Sequence, residues 1–133
     1  MADIKFFSPD TLGKPLGQYS QITRVKAQEY IYIAGQVGAN RAGAITEGFE
    51  AQCTQAYANT LAALESCGAG WGNVVQFTTY LVDARDIPRF MNFRLEHFPA
   101  FFSSGIYPPN TLLMIDRLVK EELLFEVQTI AAV

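Results

Sequence analysis

Glu126 stands in LLFEVQTIAAV, residues 123–133, between Phe125 and Val127. In a strand, alternation puts its carboxyl on one face with Leu124, Gln128 and Ile130. A carboxylate among apolar neighbours is costly unless it is hydrogen-bonded or paired. It is therefore either a satisfied structural group or a general acid/base facing a pocket. Asn110 poses the same question. It follows Pro108-Pro109 and opens the apolar run NTLLMID, residues 110–116. Asn after Pro-Pro is ordinary turn chemistry. It also shares a strand face with Leu112 and Met114, so its amide looks into any cleft that this face lines. Gly35, in AGQVG at 34–38, interrupts a run rich in β-branched and aromatic residues. It marks a bulge or strand end, or it lets backbone approach a ligand with an exposed N–H.

The other chemistry-bearing side chains have plainer readings. His97 lies beside Phe98 in a helical stretch and reads as a packing or surface residue. Asp83, Arg85 and Asp86 read as a solvated loop and cap, Arg41 as a loop tip, and Trp71 as a packing anchor. Cys53 and Cys67 fall in one predicted helix, 14 positions apart. Their Cα atoms are then roughly 20 Å apart, too far for a disulfide, and both read as helix-packing residues. With one histidine, the chain has too few ligands for a Cys/His zinc site, and no metal site is expected. No phosphate loop or nucleophile elbow is present.

These residues need elements to hold them. IKFF is a short first strand, and SPDTLGKPLGQYS is a Gly- and Pro-rich loop ending near Tyr19. QITRVKA and EYIYIAGQV read as two strands joined by a tight turn at Ala27-Gln28. In FEAQCTQAYANTLAALESCGAG, the residues Phe49, Cys53, Ala56, Tyr57, Thr60, Leu61 and Leu64 recur at three and four, the mark of an amphipathic helix. Gly68 stands where its C-terminal cap belongs. NVVQFTTYLVD is a strand. Asp86 is placed to cap a second helix through IPRFMNFRLEHFPAFF, interrupted near Pro99. NTLLMID and LLFEVQTIAAV close the chain as strands joined through the charged turn Lys120-Glu121-Glu122.

The order β-ββ-α-β-α-ββ predicts a single α+β domain over residues 1–133, with a mostly antiparallel sheet and both helices on one face. The closing strands read as apolar on both faces: Leu113 and Ile115 against Leu112 and Met114, then Leu123, Phe125 and Val127 against Leu124. Two helices cover one face only, so the second must be covered by another copy of the chain. The chain is half apolar, carries a net charge of −3 and has no basic run. Nucleic acid is not an expected partner on that balance. No apolar stretch reaches membrane-spanning length and MADIKFFSPD lacks a signal-peptide pattern, so the expected location is cytoplasmic.

Taken together, these segments resemble the RidA/YjgF family, formerly called the L-PSP endoribonuclease family. GQYSQ is similar to its early Gly-Pro-Tyr-Ser-Gln segment, and IYIAGQVG to its Ser-Gly-Gln strand. NVVQFTTYLVDARDIPRFMNFRLEHF is similar to its strand, turn and Asn-bearing helix. YPPNTLLMIDRL stands where the family has Pro-Ala-Arg-Ser/Thr before an apolar strand, and LLFEVQTIAAV resembles its closing strand. The resemblance implies a chorismate-mutase-like fold that assembles as a barrel-cored homotrimer with clefts between subunits. It implies a small-molecule ligand, no cofactor, and hydrolysis of reactive enamines and imines to carbonyl compounds and ammonia. It carries the family's site residues to Tyr19, Ala34, Gly35, Asn92, Asn110, Leu112 and Glu126, with Glu126 as the catalytic carboxylate.

Three of these depart from the deaminating pattern. Ala34 replaces a Ser, Leu112 replaces a Cys found in some members, and Asn110 replaces the Arg that grips the substrate carboxylate. An arginine fork makes two charge-assisted bonds where Asn offers one neutral NH₂. Losing that contact in a partly buried site costs about 2–5 kcal/mol of binding. The expectation is an arginine-lacking branch of the family with weak 2-iminoacid activity. Arg24, Arg41, Arg94 and Arg117 are the alternative carboxylate anchors. The competing reading is a non-catalytic trimeric module that binds a metabolite or a partner protein in the same clefts.

Overall fold

The computed structural model describes all of residues 1–133. Six strands and two helices run in the order β1 (Asp3–Phe7), β2 (Ile22–Lys26), β3 (Tyr30–Val37), α1 (Phe49–Ser66), β4 (Val74–Leu81), α2 (Ile87–Phe101), β5 (Asn110–Met114) and β6 (Phe125–Ala132). The main sheet has the order β3-β6-β4-β5, and β1 and β2 form a separate antiparallel pair. β6 is antiparallel to both β3 and β4, whereas β4 and β5 are parallel. The architecture is thus α+β with a mixed sheet.

Two expected strand relations are corrected here. The Ala27-Gln28 turn does not make a hairpin, because β2 pairs with β1 and β3 pairs with the last strand. Similarly, the charged turn forms, with Leu123 N–H bonded to Lys120 O at 3.2 Å, but β4 lies between β5 and β6, so the turn sits within a crossover and does not pair the two strands. Local turn chemistry marks where a strand ends but does not choose its partner.

Both helices cover the same sheet face. Tyr57 of α1 meets Phe77 of β4 edge-on at 6.0 Å, and Phe90 of α2 lies 5.5 Å from Phe125 of β6. Tyr57 also stacks on Phe93 across the two helices at 5.6 Å. This aromatic layer, with Phe98, Leu64, Leu81 and Val127, is the core. Helix α1 follows its predicted face with two differences: Gln52 is buried beside Cys53, and Leu61 is only partly buried. Its end forms a Schellman motif, with Ala69 N–H bonded to Leu64 O, Gly68 N–H to Glu65 O, and Gly68 at φ 71°. Cys67 is the exposed C-cap residue, so only Cys53 is a packing cysteine.

Helix α2 departs from expectation at both ends. It runs unbroken through Pro99 to Phe101, because the proline falls in its last turn. Asp86 is the N-cap residue but its side chain makes no cap bond; it pairs with Arg89 at 3.3 Å. Asp83 caps the preceding 3-10 turn, accepting from Arg85 N–H at 2.9 Å. Trp71 stacks on Phe101 at 4.5 Å and His97 on Phe93 at 4.2 Å, so both are packing residues. No helix is long and apolar enough to cross a membrane.

Candidate functional site

The seven site residues carried over by resemblance fall into separate places on the chain. Alternation along β4 explains why. Phe77, Thr79 and Leu81 face the helices and are buried, whereas Thr78 and Tyr80 face the open side. Asn110 is paired with Phe77 and Leu112 with Thr79, so both belong to the helix side. Glu126 is paired with Tyr80, on the open side. Asn110 and Glu126 of one chain therefore lie on opposite faces of the sheet.

On the helix side, at the β5 edge, Tyr19, Asn110 and Leu112 line one groove of about 270 Å³. Its remaining walls are Leu16, Ile87 and Met91, with Arg94. The loop before β2 places Tyr19. Ser20 N–H bonds Tyr107 O at 3.1 Å and ties this loop to the residues before β5. Leu16 N–H bonds the Tyr19 hydroxyl at 3.1 Å, which fixes this side chain in the groove wall. Asn110 is fixed by Thr79, whose hydroxyl donates to Asn110 Oδ1 at 2.6 Å. The Asn110 Nδ2 donors have no acceptor within the chain. Asn110 is thus a strand residue whose amide is half engaged below and open to the groove above.

On the open side, Gly35 and Glu126 meet. Between Ile33 and Gln36 the β3–β6 register slips by one residue, because β3 carries an extra residue at Ala34-Gly35. This bulge is one of the two readings of AGQVG, and it brings Gly35 directly under the Glu126 carboxyl. A Cβ on Gly35 would clash with the Glu126 carboxyl oxygen and lie 2.8 Å from its Cγ. Only glycine leaves room for the carboxyl there. Glu126 makes no hydrogen bond or ion pair within the chain and is half-buried. Burial pushes its carboxyl above the ordinary glutamate value. Ala34 is exposed beside it.

Asn92 joins neither group. It is exposed on the outer side of α2 and donates to Glu96 Oε1 at 3.1 Å. Within a single chain these residues therefore do not come together.

Among the four arginines considered as anchors, Arg24 and Arg41 are exposed. Arg117 is exposed too, bonded to Leu118 O and Val119 O and paired with Glu121. Arg94 alone is buried, with 2% of its surface exposed. Sequence reading did not separate it from the others, since a charged residue next to Phe93 in a helix gives no sign of which way it turns. Its spacing from Phe90 and Phe98, four residues each way, was the available signal.

A family profile described as "Endoribonuclease L-PSP" matches residues 11–133. A 2-iminobutanoate/2-iminopropanoate deaminase from Dermatophagoides farinae is 28% identical over 127 residues, covering 90% of this chain and 98% of that protein. Among solved structures, a protein of unknown function of the conserved Rid family, YyfB from Yersinia pestis, superposes with a TM-score of 0.86 at 25% identity, covering 98% of each chain. RidA from Psychrobacter sp. PAMC 21119 superposes with a TM-score of 0.69 at 29% identity, covering 97% of this chain and 99% of that one.

Proposed function

The chain belongs to the Rid family of YjgF/L-PSP proteins, and on that premise we propose that it is a homotrimer that hydrolyses a small imine or enamine, without a cofactor, in clefts between subunits. The groove lined by Tyr19, Asn110 and Leu112 forms one wall of the cleft. Glu126 and Gly35 of a neighbouring copy form the other. Glu126 holds a water against the imine carbon. The carboxylate takes a proton from that water as the C–O bond forms. The C=N π pair moves to nitrogen, which takes that proton back from Glu126 to give a carbinolamine. The carbinolamine hydroxyl proton then passes through Glu126 to nitrogen as the C–N bond breaks, releasing ammonia and the carbonyl compound. Gly35 N–H and the free Asn110 amide orient the substrate.

One observation carries this reading. Glu126 is half-buried, lies over a glycine that makes room for it, and has no hydrogen-bond partner or counter-charge in its own chain. A structural carboxylate in such a place is paired. A carboxyl whose proton affinity is raised by burial suits an acid/base that both takes and gives a proton. The open sheet face supports the trimer. Tyr32 is 73% exposed there and Leu113 41%, in line with Tyr80 and Ile130. Asn110 in place of the family's arginine supports reading the chain as a member of an arginine-lacking branch. Its activity on 2-iminopropanoate is then weak compared with arginine-bearing members.

A non-catalytic ligand-binding module is the competing reading, favoured by Asn110 and Ala34. Imines generated in place, with semicarbazide as the competing trap, separate the two. The proposal expects ammonia release faster than the uncatalysed rate and its loss in Glu126→Gln. Turnover untouched by that substitution, or ligand recovered unchanged, contradicts it.

A further inference from the structure

We propose that Arg94, on helix α2, is the anion anchor of the groove, binding the carboxylate of a small acid whose short apolar remainder lies against Met91 and Leu112. This inference rests on the reading of the groove as a ligand site and names the charge that the ligand must carry.

The guanidinium is the reason. Arg94 is among the most buried charged groups of the chain, yet no carboxylate lies within ion-pair distance of it. Its five donors are poorly used. One Nη1–H reaches Gln18 O at 3.5 Å, and Nη2 rests on the Met91 sulfur at 3.1 Å. The buried Nε has no partner at all. The Phe90 ring lies under the guanidinium at 4.5 Å and the Tyr19 ring is 5.9 Å away. Ring faces favour the cation but do not accept its hydrogen bonds in the plane. Burial also pulls its proton affinity down, and the acidic neighbours acting on it are the phenols of Tyr57 and Tyr19. Tyr57 stays neutral because burial raises its own value.

A buried charge without a partner is expensive to keep. An arginine serving only as a strut would spend its donors on backbone carbonyls. This one has an idle Nε, and it shares a groove wall with Asn110, whose amide donors are also idle. The loop above has been cleared for it: a Cβ on Gly17 would lie 2.9 Å from Nη2 and 2.8 Å from Met91 Cε. The flat guanidinium takes a planar carboxylate through two parallel bonds. The groove's volume and its mainly aliphatic walls fit an acid of a few carbons. Arg94 thus brings a positive charge to the groove that position 110 leaves neutral; at 2% exposure it is recessed and replaces the family's arginine only in part, in keeping with weak 2-iminoacid activity.

Calorimetry with 2-oxobutanoate and with uncharged 2-butanone tests the anchor. The native protein should bind the acid and not the ketone. Arg94→Met, which keeps the apolar stem, should weaken the acid by about thirtyfold or more. Arg94→Lys should retain part of the affinity. An independent readout needs no variant: the Arg94 Nε–H proton resonance should move downfield as 2-oxobutanoate saturates the protein, and stay put with butanone. No binding of the acid, equal affinity in a folded Arg94→Met variant, or an Nε–H signal that already has a hydrogen-bonded shift and does not respond would each overturn the assignment. Hydrolysis is scored separately through Glu126→Gln. Acid binding at Arg94 without imine turnover keeps the anchor and removes the hydrolase reading. Turnover that needs Glu126 but is indifferent to Arg94→Met does the reverse.

Discussion

In the proposed reaction Glu126 carries the proton and Asn110 positions the substrate, and each role makes a separate prediction. Burial raises the Glu126 carboxyl above its unfolded value. The native chain then holds that proton more tightly than the unfolded one. Its stabilising effect is full below the ordinary glutamate range and is lost as pH rises through the raised native value. Glu126→Gln should therefore match the parent in urea unfolding at about pH 4 and exceed it at about pH 7.5. Equal stability at both pH values would mean that the carboxyl is solvated. Asn110→Arg restores a fork at the start of β5, where a longer side chain enters the groove without displacing core. Affinity for pyruvate should rise by about 1.5–3 kcal/mol, read by calorimetry. The new cation also stands near Arg94, so the ligand-free variant should unfold at lower urea than the parent. An unchanged pyruvate affinity in a folded variant would remove residue 110 from the site.

At the scale of elements, Gln52 is what aligns the strand that carries Glu126. Its Nε2 donates to Thr46 O at 3.0 Å and to Glu122 O at 2.9 Å, and its Oε1 accepts from Leu124 N–H at 2.8 Å. Helix α1 is thereby tied to the end of the crossover, two residues before Glu126. Gln52→Met keeps the volume but leaves three backbone groups without partners, so stability should fall by about 2–4 kcal/mol in urea unfolding. A loss below about 0.5 kcal/mol would show that water replaces the amide. Gln52 was not legible in the sequence, because a polar side chain on an apolar helix face looks like a break in the pattern until its partners are known. The helix itself was legible, from the spacing of Phe49, Cys53, Ala56, Tyr57 and Leu64. So were β4 and β6, from their β-branched and aromatic runs. Strand partners were not, since β2 and β3 are adjacent in sequence but pair elsewhere. The bulge at Ala34-Gly35 was one of two readings of a glycine, and the register shift against β6 shows it without removing the other. The opposite facing of Asn110 and Glu126 was hidden for the same reason: it depends on the parallel register of β4 and β5, which no local pattern encodes.

At the scale of the molecule, one chain presents half of its candidate site on each side of a sheet. The open side carries Tyr30, Tyr32 and Leu113 in solvent, too much apolar surface to leave uncovered beside the half-buried Glu126. Covering it with a second copy and joining the two half-sites are the same event in a cyclic trimer. Tyr32→Lys with Leu113→Lys should thus shift sedimentation at micromolar concentration from a trimer to smaller species and abolish turnover along with it. A parent chain that sediments as a folded monomer would refute the assembly.

The joining of the half-sites is tested most directly by mixing subunits. Glu126→Gln removes the carboxylate from one half, and Met91→Trp fills the groove of the other. Each pure variant should be inactive toward an imine generated in place. Unfolded together in equal amounts and refolded, they should recover about a quarter of the parent turnover, because that share of clefts pairs an intact groove with an intact Glu126 from its neighbour. Refolded mixed trimers that stay as inactive as the pure variants would show that each site is built within one chain, and would contradict the account.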